Sequence, residues 1–156
     1  MPEIVCSLVF LQRDDEILLA MKKRGFGKGL WNGVGGKIDP GETIEQAAVR
    51  ECQEEINVTP LDLAKVAIHT FTFPDDKPNM IGHVFITDKW EGEPAETDEM
   101  APQWFKKSEI PYSGMWDDDI FWLPAVLEGR KLITAFSFDE NEKMTSAHID
   151  IVDTLE

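Results

Sequence analysis

Glu51, Glu54 and Glu55 stand three and four residues apart within one short stretch of chain. On a helix these spacings share a face, so the three carboxylates crowd together. With Ile44–Ile56 on a wheel at about 100° per residue, Ile44, Ala47, Ala48 and Cys52 form the apolar stripe and the glutamates lie along its edge. Like charges there repel, and the stripe desolvates them, so a cation is needed. Oxygen-only donors suit a hard ion, Mg²⁺ or Mn²⁺. His69, His83 and His148 are scattered and form no zinc-type cluster with a cysteine. A solvated outer helix face explains the same glutamates. Glu45 falls near the Cys52 side of the wheel, although the dipole favours an acid in the first turn. Periodicity alone leaves both readings open.

A second signal precedes this stretch. Seven of eleven glycines fall between Gly25 and Gly41, and Ile17 to Ile38 contains no acid while carrying Lys22, Lys23, Arg24, Lys28 and Lys37. In a chain of net charge -15, that clearing is a local positive field suited to an anionic ligand.

The elements that must position these groups are marked in the sequence. Thr43 and Gln46 fit a capping box after the turn at Pro40-Gly41, and Asn57 fits a left-handed residue past the helix end. These bound a helix over Ile44–Ile56. Ile4–Leu11 and Ile17–Lys23 are β-rich runs around the polar turn Gln12–Glu16 and suggest a hairpin. Further strands are expected at Ala64–Phe73, His83–Asp88, Gln103–Phe105, Lys131–Phe138 and Met144–Val152. A second helix is expected from Asp117–Asp119 toward Glu128, with Pro124 in its early turns. The order is β-rich without regular βαβ alternation, so an α+β fold with a mixed sheet follows.

Composition narrows the function classes. The 156 residues, 42% of them hydrophobic, suffice for a single domain with its own core. The acidic balance argues against nucleic acid polymers and anionic membranes. The longest apolar run, Ile4 to Leu11, is too short for a membrane helix and lacks a signal peptide's basic flank. Cys6 and Cys52 read as buried thiols in a reducing, cytoplasmic compartment. A monomer is the default expectation.

Gly36, Glu42 and the run Arg50-Glu51-Cys52-Gln53-Glu54-Glu55-Ile56-Asn57-Val58 resemble the Nudix box of the Nudix hydrolases. Cys52 stands where that pattern has an aliphatic residue, and Asn57 where it has glycine. Segments 21–27, 31–36 and 115–119 are similar to the eukaryotic-type MutT branch, whose members hydrolyse oxidised purine nucleoside triphosphates. The resemblance implies an α/β/α sandwich around a mixed sheet, spanning residues 1–156 as one Nudix domain. It implies that the Gly36 carbonyl with Glu51, Glu54 and Glu55 holds Mg²⁺, or Mn²⁺. Glu99 would lie near the metal, Arg50 would orient the glutamates, and Lys22 would approach the phosphates. Asn32, Asp118, Asp119 and Trp116 would read the base. Phe71, Phe73, Met80 and Met100 would wall its pocket, with Ser7 and Phe26 nearby. Ser7 replaces a threonine of that branch and Val34 an aromatic.

The implied reaction converts 8-oxo-dGTP and related purines, such as 2-oxo-dATP or O6-methyl-dGTP, to the monophosphate and pyrophosphate. Another nucleotide substrate, or a noncatalytic nucleotide sensor, keeps the same fold. Asp117–Asp119 also fits a dipole-favoured start of a helix, and Trp116, Met80 and Met100 also fit ordinary core. Asp118 and Asp119, side by side and next to an aromatic, are expected to share one proton.

Overall fold

The structure, a computed structural model, describes residues 3–155. Strand β1 (Ile4–Arg13) turns back into β2 (Glu16–Lys22). The turn is tighter than Gln12–Glu16: Arg13 pairs with Glu16 across Asp14-Asp15, and Asp14 takes φ 48°. An aspartate tolerates this left-handed backbone better than most residues. After two paired positions the strands separate, and each recruits other partners.

The other elements are β3 (Trp31–Asn32), α1 (Ile44–Ile56), β4 (Thr59–Leu61), β5 (Ala64–Thr72), β6 (Met80–Thr87), β7 (Lys89–Glu91), β8 (Met100–Lys106), α2 (Asp119–Leu127), β9 (Lys131–Phe138) and β10 (Met144–Val152). The main sheet runs β10-β9-β5-β6-β1-β2-β3, and β8 pairs with β2. It is mixed: β1–β6 and β5–β9 are parallel, and the other pairs antiparallel. Beyond β2, the edge of β1 is covered by the glycine-rich loop. Val9 and Val34 exchange hydrogen bonds, and the Ser7 N–H donates to the Gly36 carbonyl at 2.9 Å.

Side-chain alternation along β1 and β2 explains the layers. Val9, Leu11, Leu18 and Ala20 face one way and pack with Ala48, Cys52 and Ile56 of α1. Phe10, Ile17 and Leu19 face the other way and pack with Trp122, Leu123 and Val126 of α2. The result is the expected α/β/α sandwich. Trp122 is wholly buried, edge-on to Phe10 at 5.9 Å; truncating it to alanine costs about 3–5 kcal/mol.

Helix α1 has the expected bounds. Thr43 accepts from the Gln46 N–H at 3.1 Å, and the Gln46 side chain accepts from the Thr43 N–H at 2.9 Å. Asn57 closes the helix at φ 63°, ψ 36°. Helix α2 differs at Pro124, which is its sixth residue rather than an early one. A proline there has no N–H for the Ile120 carbonyl. Strands β3, β4 and β7 are additional to those expected, and β6 and β8 begin earlier than expected, at Met80 and Met100.

Candidate active site

Arg50 organises the acidic face of α1. Its guanidinium grips Glu42 through Nε at 2.7 Å and Nη2 at 2.9 Å. It also reaches Glu51 at 3.0 Å, Glu54 at 3.4 Å and the Lys37 carbonyl at 3.0 Å. This fork needs an arginine, since a lysine offers a point charge instead of a planar set of donors. The hydrogen bonds from Arg50, with one from the Asp39 N–H, hold Glu42 below the usual carboxylate range. Burial raises Glu51, against the pull of Arg50.

Glu55 is only 5% exposed and lies apart from Arg50's hydrogen bonds, accepting from the Gly35 N–H at 3.2 Å. Desolvation, then the charge of Glu51, pushes its carboxyl up to about 7, against Lys22 and the Gly35 N–H. Glu99 enters from the loop before β8, where Arg24 donates to it at 2.6 Å and lowers its pKa. Lys23 pairs with Glu96 in the same loop. Part of the basic clearing is thus spent on holding that loop, while Lys22 and Lys37 line the cleft with Arg50, Glu51, Glu54, Glu55 and Glu99.

Among the described residues no three of these groups already form a metal cage, because Arg50 draws Glu51 and Glu54 to itself. The donor set nevertheless fits a divalent cation. A Cβ at Gly36 would lie 1.9 Å from Glu51 Oε2, so only glycine lets that carboxylate approach the loop. The Gly36 carbonyl spends one lone pair on Ser7 and keeps the other. The desolvated Glu51 and Glu55 gain from a cation, and all the donors are oxygens.

The second cavity, about 240 Å³, lies between the main sheet and the start of α2. Ser7, Lys22, Phe26, Asn32, Phe71, Phe73, Met80, Met100, Trp116, Asp118 and Asp119 all line it. Trp116 stacks on Phe26 at 5.0 Å, and Phe26 meets Phe73 edge-on at 6.1 Å. Phe26 is 54% exposed and stands at the rim. The Asn32 carbonyl accepts from the Gly33 N–H at 2.8 Å, which orients its amide.

Asp118 and Asp119 are buried, at 3% and 2% exposure. Asp118 stands at the N-cap of α2 without a side-chain capping bond and Asp119 in the first turn, so the helix-start placement holds, and their burial is what the dipole alone leaves unexplained. Asp118 accepts from Trp122 Nε1 at 2.8 Å, while Asp119 Oδ2 has no partner. Burial pushes Asp118 up to about 6, and burial with the neighbouring Asp118 charge drives Asp119 well above its ordinary value. A protonated carboxyl donates a hydrogen bond that an ionised one cannot.

Four buried side-chain atoms among the described residues have no partner: Ser7 Oγ, His69 Nε2, His83 Nδ1 and Asp119 Oδ2. Three of them belong to residues lining this one cavity. Buried polar atoms are ordinarily paired, so their concentration there points to a ligand with complementary polar groups. Lys22, Gly35, Gly36 and Lys37 line both cavities, which therefore meet.

The structure thus gathers the named acids, Gly36 and Arg50 around one cavity and Asn32, Trp116, Asp118 and Asp119, expected to read a base, around the other. Sequence reasoning passed over His69, Gly82, Trp122 and Phe138, which also line the second cavity. The signal for His69 was period-two spacing: His69, Phe71 and Phe73 project to one side of an extended strand. Trp122 lies one helical turn beyond Asp118. Phe138 carried the same period-two signal, through Phe136, and Gly82 carried none.

Residues 1–125 match the Nudix domain. An oxidized purine nucleoside triphosphate hydrolase of Danio rerio is 46% identical over 96% of this chain and 96% of its own length. The protein of that name from Mus musculus is 40% identical, over 95% of each chain. Among solved structures, a mutator MutT protein from Bacillus halodurans superimposes with a TM-score of 0.85 at 26% identity, covering 94% of this chain and 97% of that one. With the acid-lined cleft of α1 and a sandwich fold already in place, these matches settle the family: the chain belongs to the Nudix hydrolases.

Proposed function

We propose that this chain is a single-domain, monomeric, cytoplasmic enzyme. It hydrolyses oxidised purine nucleoside triphosphates, 8-oxo-dGTP among them, to the nucleoside monophosphate and pyrophosphate. The observation that carries this reading is the meeting of the two cavities at Lys22 and 35–37. A buried pocket with aromatic walls and polar orphans suits a modified base. The acid-lined cleft beside it suits a triphosphate with a cation. The relatives named for oxidised purine nucleotides support the same substrate class.

Glu51, Glu54, Glu55 and the Gly36 carbonyl would hold Mg²⁺, with Glu99 beside them; Mn²⁺ satisfies the same donors. Held there, such an ion would supply neutralisation of phosphate charge for in-line attack by water. Arg50 fixes the rotamers of Glu51 and Glu54. Glu55, outside that clamp, takes the proton of the attacking water. Lys22, at the junction, offsets charge on the phosphates. Trp116 stacks on the purine, Asn32 and the Asp118–Asp119 pair hydrogen-bond its edge, and the pair shares one proton. A shared proton lets one carboxyl donate and the other accept, which suits a base altered at more than one position.

Pyrophosphate release tests the reading. The enzyme is incubated with Mg²⁺ and separately with 8-oxo-dGTP, dGTP and other dNTPs. Faster release from 8-oxo-dGTP is expected. Binding without turnover would favour a sensor, and equal release from every dNTP would remove the base preference.

A further inference from the structure

His69 sits on β5 with no exposed surface, its ring 4.3 Å from that of Trp122. Its Nδ1 lies 2.5 Å from Oγ1 of Thr134, its register partner on β9. Thr134 is itself buried, and among the described residues its hydroxyl has no hydrogen-bond partner except this nitrogen. Of the two neutral tautomers, only the one in which the hydroxyl donates to Nδ1 also pairs the hydroxyl proton. Burial pushes the imidazole down to about 3, so the ring is neutral and carries one N–H. With Nδ1 accepting, that proton sits on Nε2.

Nε2 has no protein partner. Because Nδ1 faces β9, the Nε2 edge faces away from it, toward the β6 side of β5. The residue paired with His69 there is Gly82, which puts no side chain of its own beside the ring; a Cβ at that position would meet the Phe71 ring at 3.3 Å. Both residues line the base cavity. A buried donor without an acceptor costs free energy in the empty fold, and the residue that carries this one lines a cavity of about 240 Å³.

We infer that His69 is a specificity-determining residue of the base pocket, donating from Nε2 to a carbonyl oxygen or an unprotonated ring nitrogen on the purine edge that enters deepest. The inference rests on the purine-nucleotide reading above and adds a contact to it. Thr134 is the positioning residue, since its hydroxyl sets which nitrogen holds the proton. An apolar side chain at position 69 would leave the purine acceptor desolvated and unpaired, which is how a polar site discriminates.

The test uses the product 8-oxo-dGMP, which needs no turnover. Wild-type protein with ¹⁵N-labelled histidine is titrated with it and followed by NMR, and the affinity of His69→Leu and His69→Gln is measured by calorimetry. In the free enzyme Nε2 should give a protonated-type and Nδ1 an unprotonated-type resonance. Both should shift on binding, Nε2 more. His69→Leu should bind about tenfold more weakly or worse, and His69→Gln, which keeps a donor, should recover part of the loss. Binding that leaves the His69 resonances unmoved overturns the inference alone, as does an affinity for His69→Leu within about twofold of wild type. No binding of 8-oxo-dGMP to wild type overturns the purine reading as well. Should His69→Leu fail to fold, the wild-type titration decides.

Discussion

Glu51 and Glu54 lie against a guanidinium, whereas Asp118 and Asp119 have no ion-pair partner among the described residues. Both sets are carboxylates close to a helix and close to apolar core. Glu51 and Glu54 line an open cleft where Arg50 donates to both; Glu55, buried beside them and outside that clamp, is pushed up to about 7. The α2 acids are almost wholly buried, and of the two Asp118 alone accepts from a tryptophan N–H. For them, protonation is the cheaper response to burial. On the function proposed above, carboxylates serve two purposes: the α1 acids would hold a cation, and the buried α2 acids, where protonated, would donate hydrogen bonds to a base.

The strongest way to break the contrast is to remove an acid from the first set. Glu55→Gln should lower pyrophosphate release at least about a hundredfold, as expected on losing a general base, while circular dichroism shows an unchanged fold. Arg50→Lys comes next. It keeps the charge but loses the fork on Glu42 and the reach to Glu51, so turnover should fall about tenfold through misplaced carboxylates.

Asp119→Asn acts on the second set. It should lower kcat/KM for 8-oxo-dGTP about tenfold relative to dGTP. It should also change stability in a defined direction. An acid whose folded pKa is raised is held protonated by the fold. Its full stability is present below the ordinary value of 3.8 and is lost as pH climbs, through about 6 for Asp118 and higher for Asp119. Asparagine has no such loss. Between about pH 4 and pH 8 the melting temperature of the variant should therefore fall less than that of wild type. Asp117, Asp118 and Tyr112 adjoin the site and are left in place as the common background.

The smallest effect belongs to a position outside both sets. Asn57 holds φ 63° at the end of α1, where glycine has no steric penalty. Asn57→Gly should stabilise by less than about 1 kcal/mol and leave turnover unchanged, measured by urea denaturation. A change in turnover there would mean that the helix end helps to set the glutamates.

Helix α1 was legible because its ends carry local chemistry: Thr43 with Gln46, and Asn57. The long strands showed as β-rich runs, and the α/β/α arrangement and most site residues came from the resemblance to the Nudix box. The misses share a physical cause. β3, β4 and β7 have two or three residues each, too few for any period, and exist only because a partner strand lies opposite. β8 opens Met100-Ala101-Pro102, and proline argues against a central strand; it is tolerated because β8 pairs with β2 alone. The meaning of His69 depends on Thr134 and Gly82, which only parallel and antiparallel pairing bring beside it.

The separation of the two acid sets is tested most directly with the free nucleoside 8-oxo-deoxyguanosine, which has no phosphate for the α1 cleft. Its affinity is measured by calorimetry without metal for wild type, Glu55→Gln and Asp119→Asn. The account predicts that Glu55→Gln stays within about twofold of wild type while Asp119→Asn loses about tenfold or more. An equal loss in both variants would contradict it.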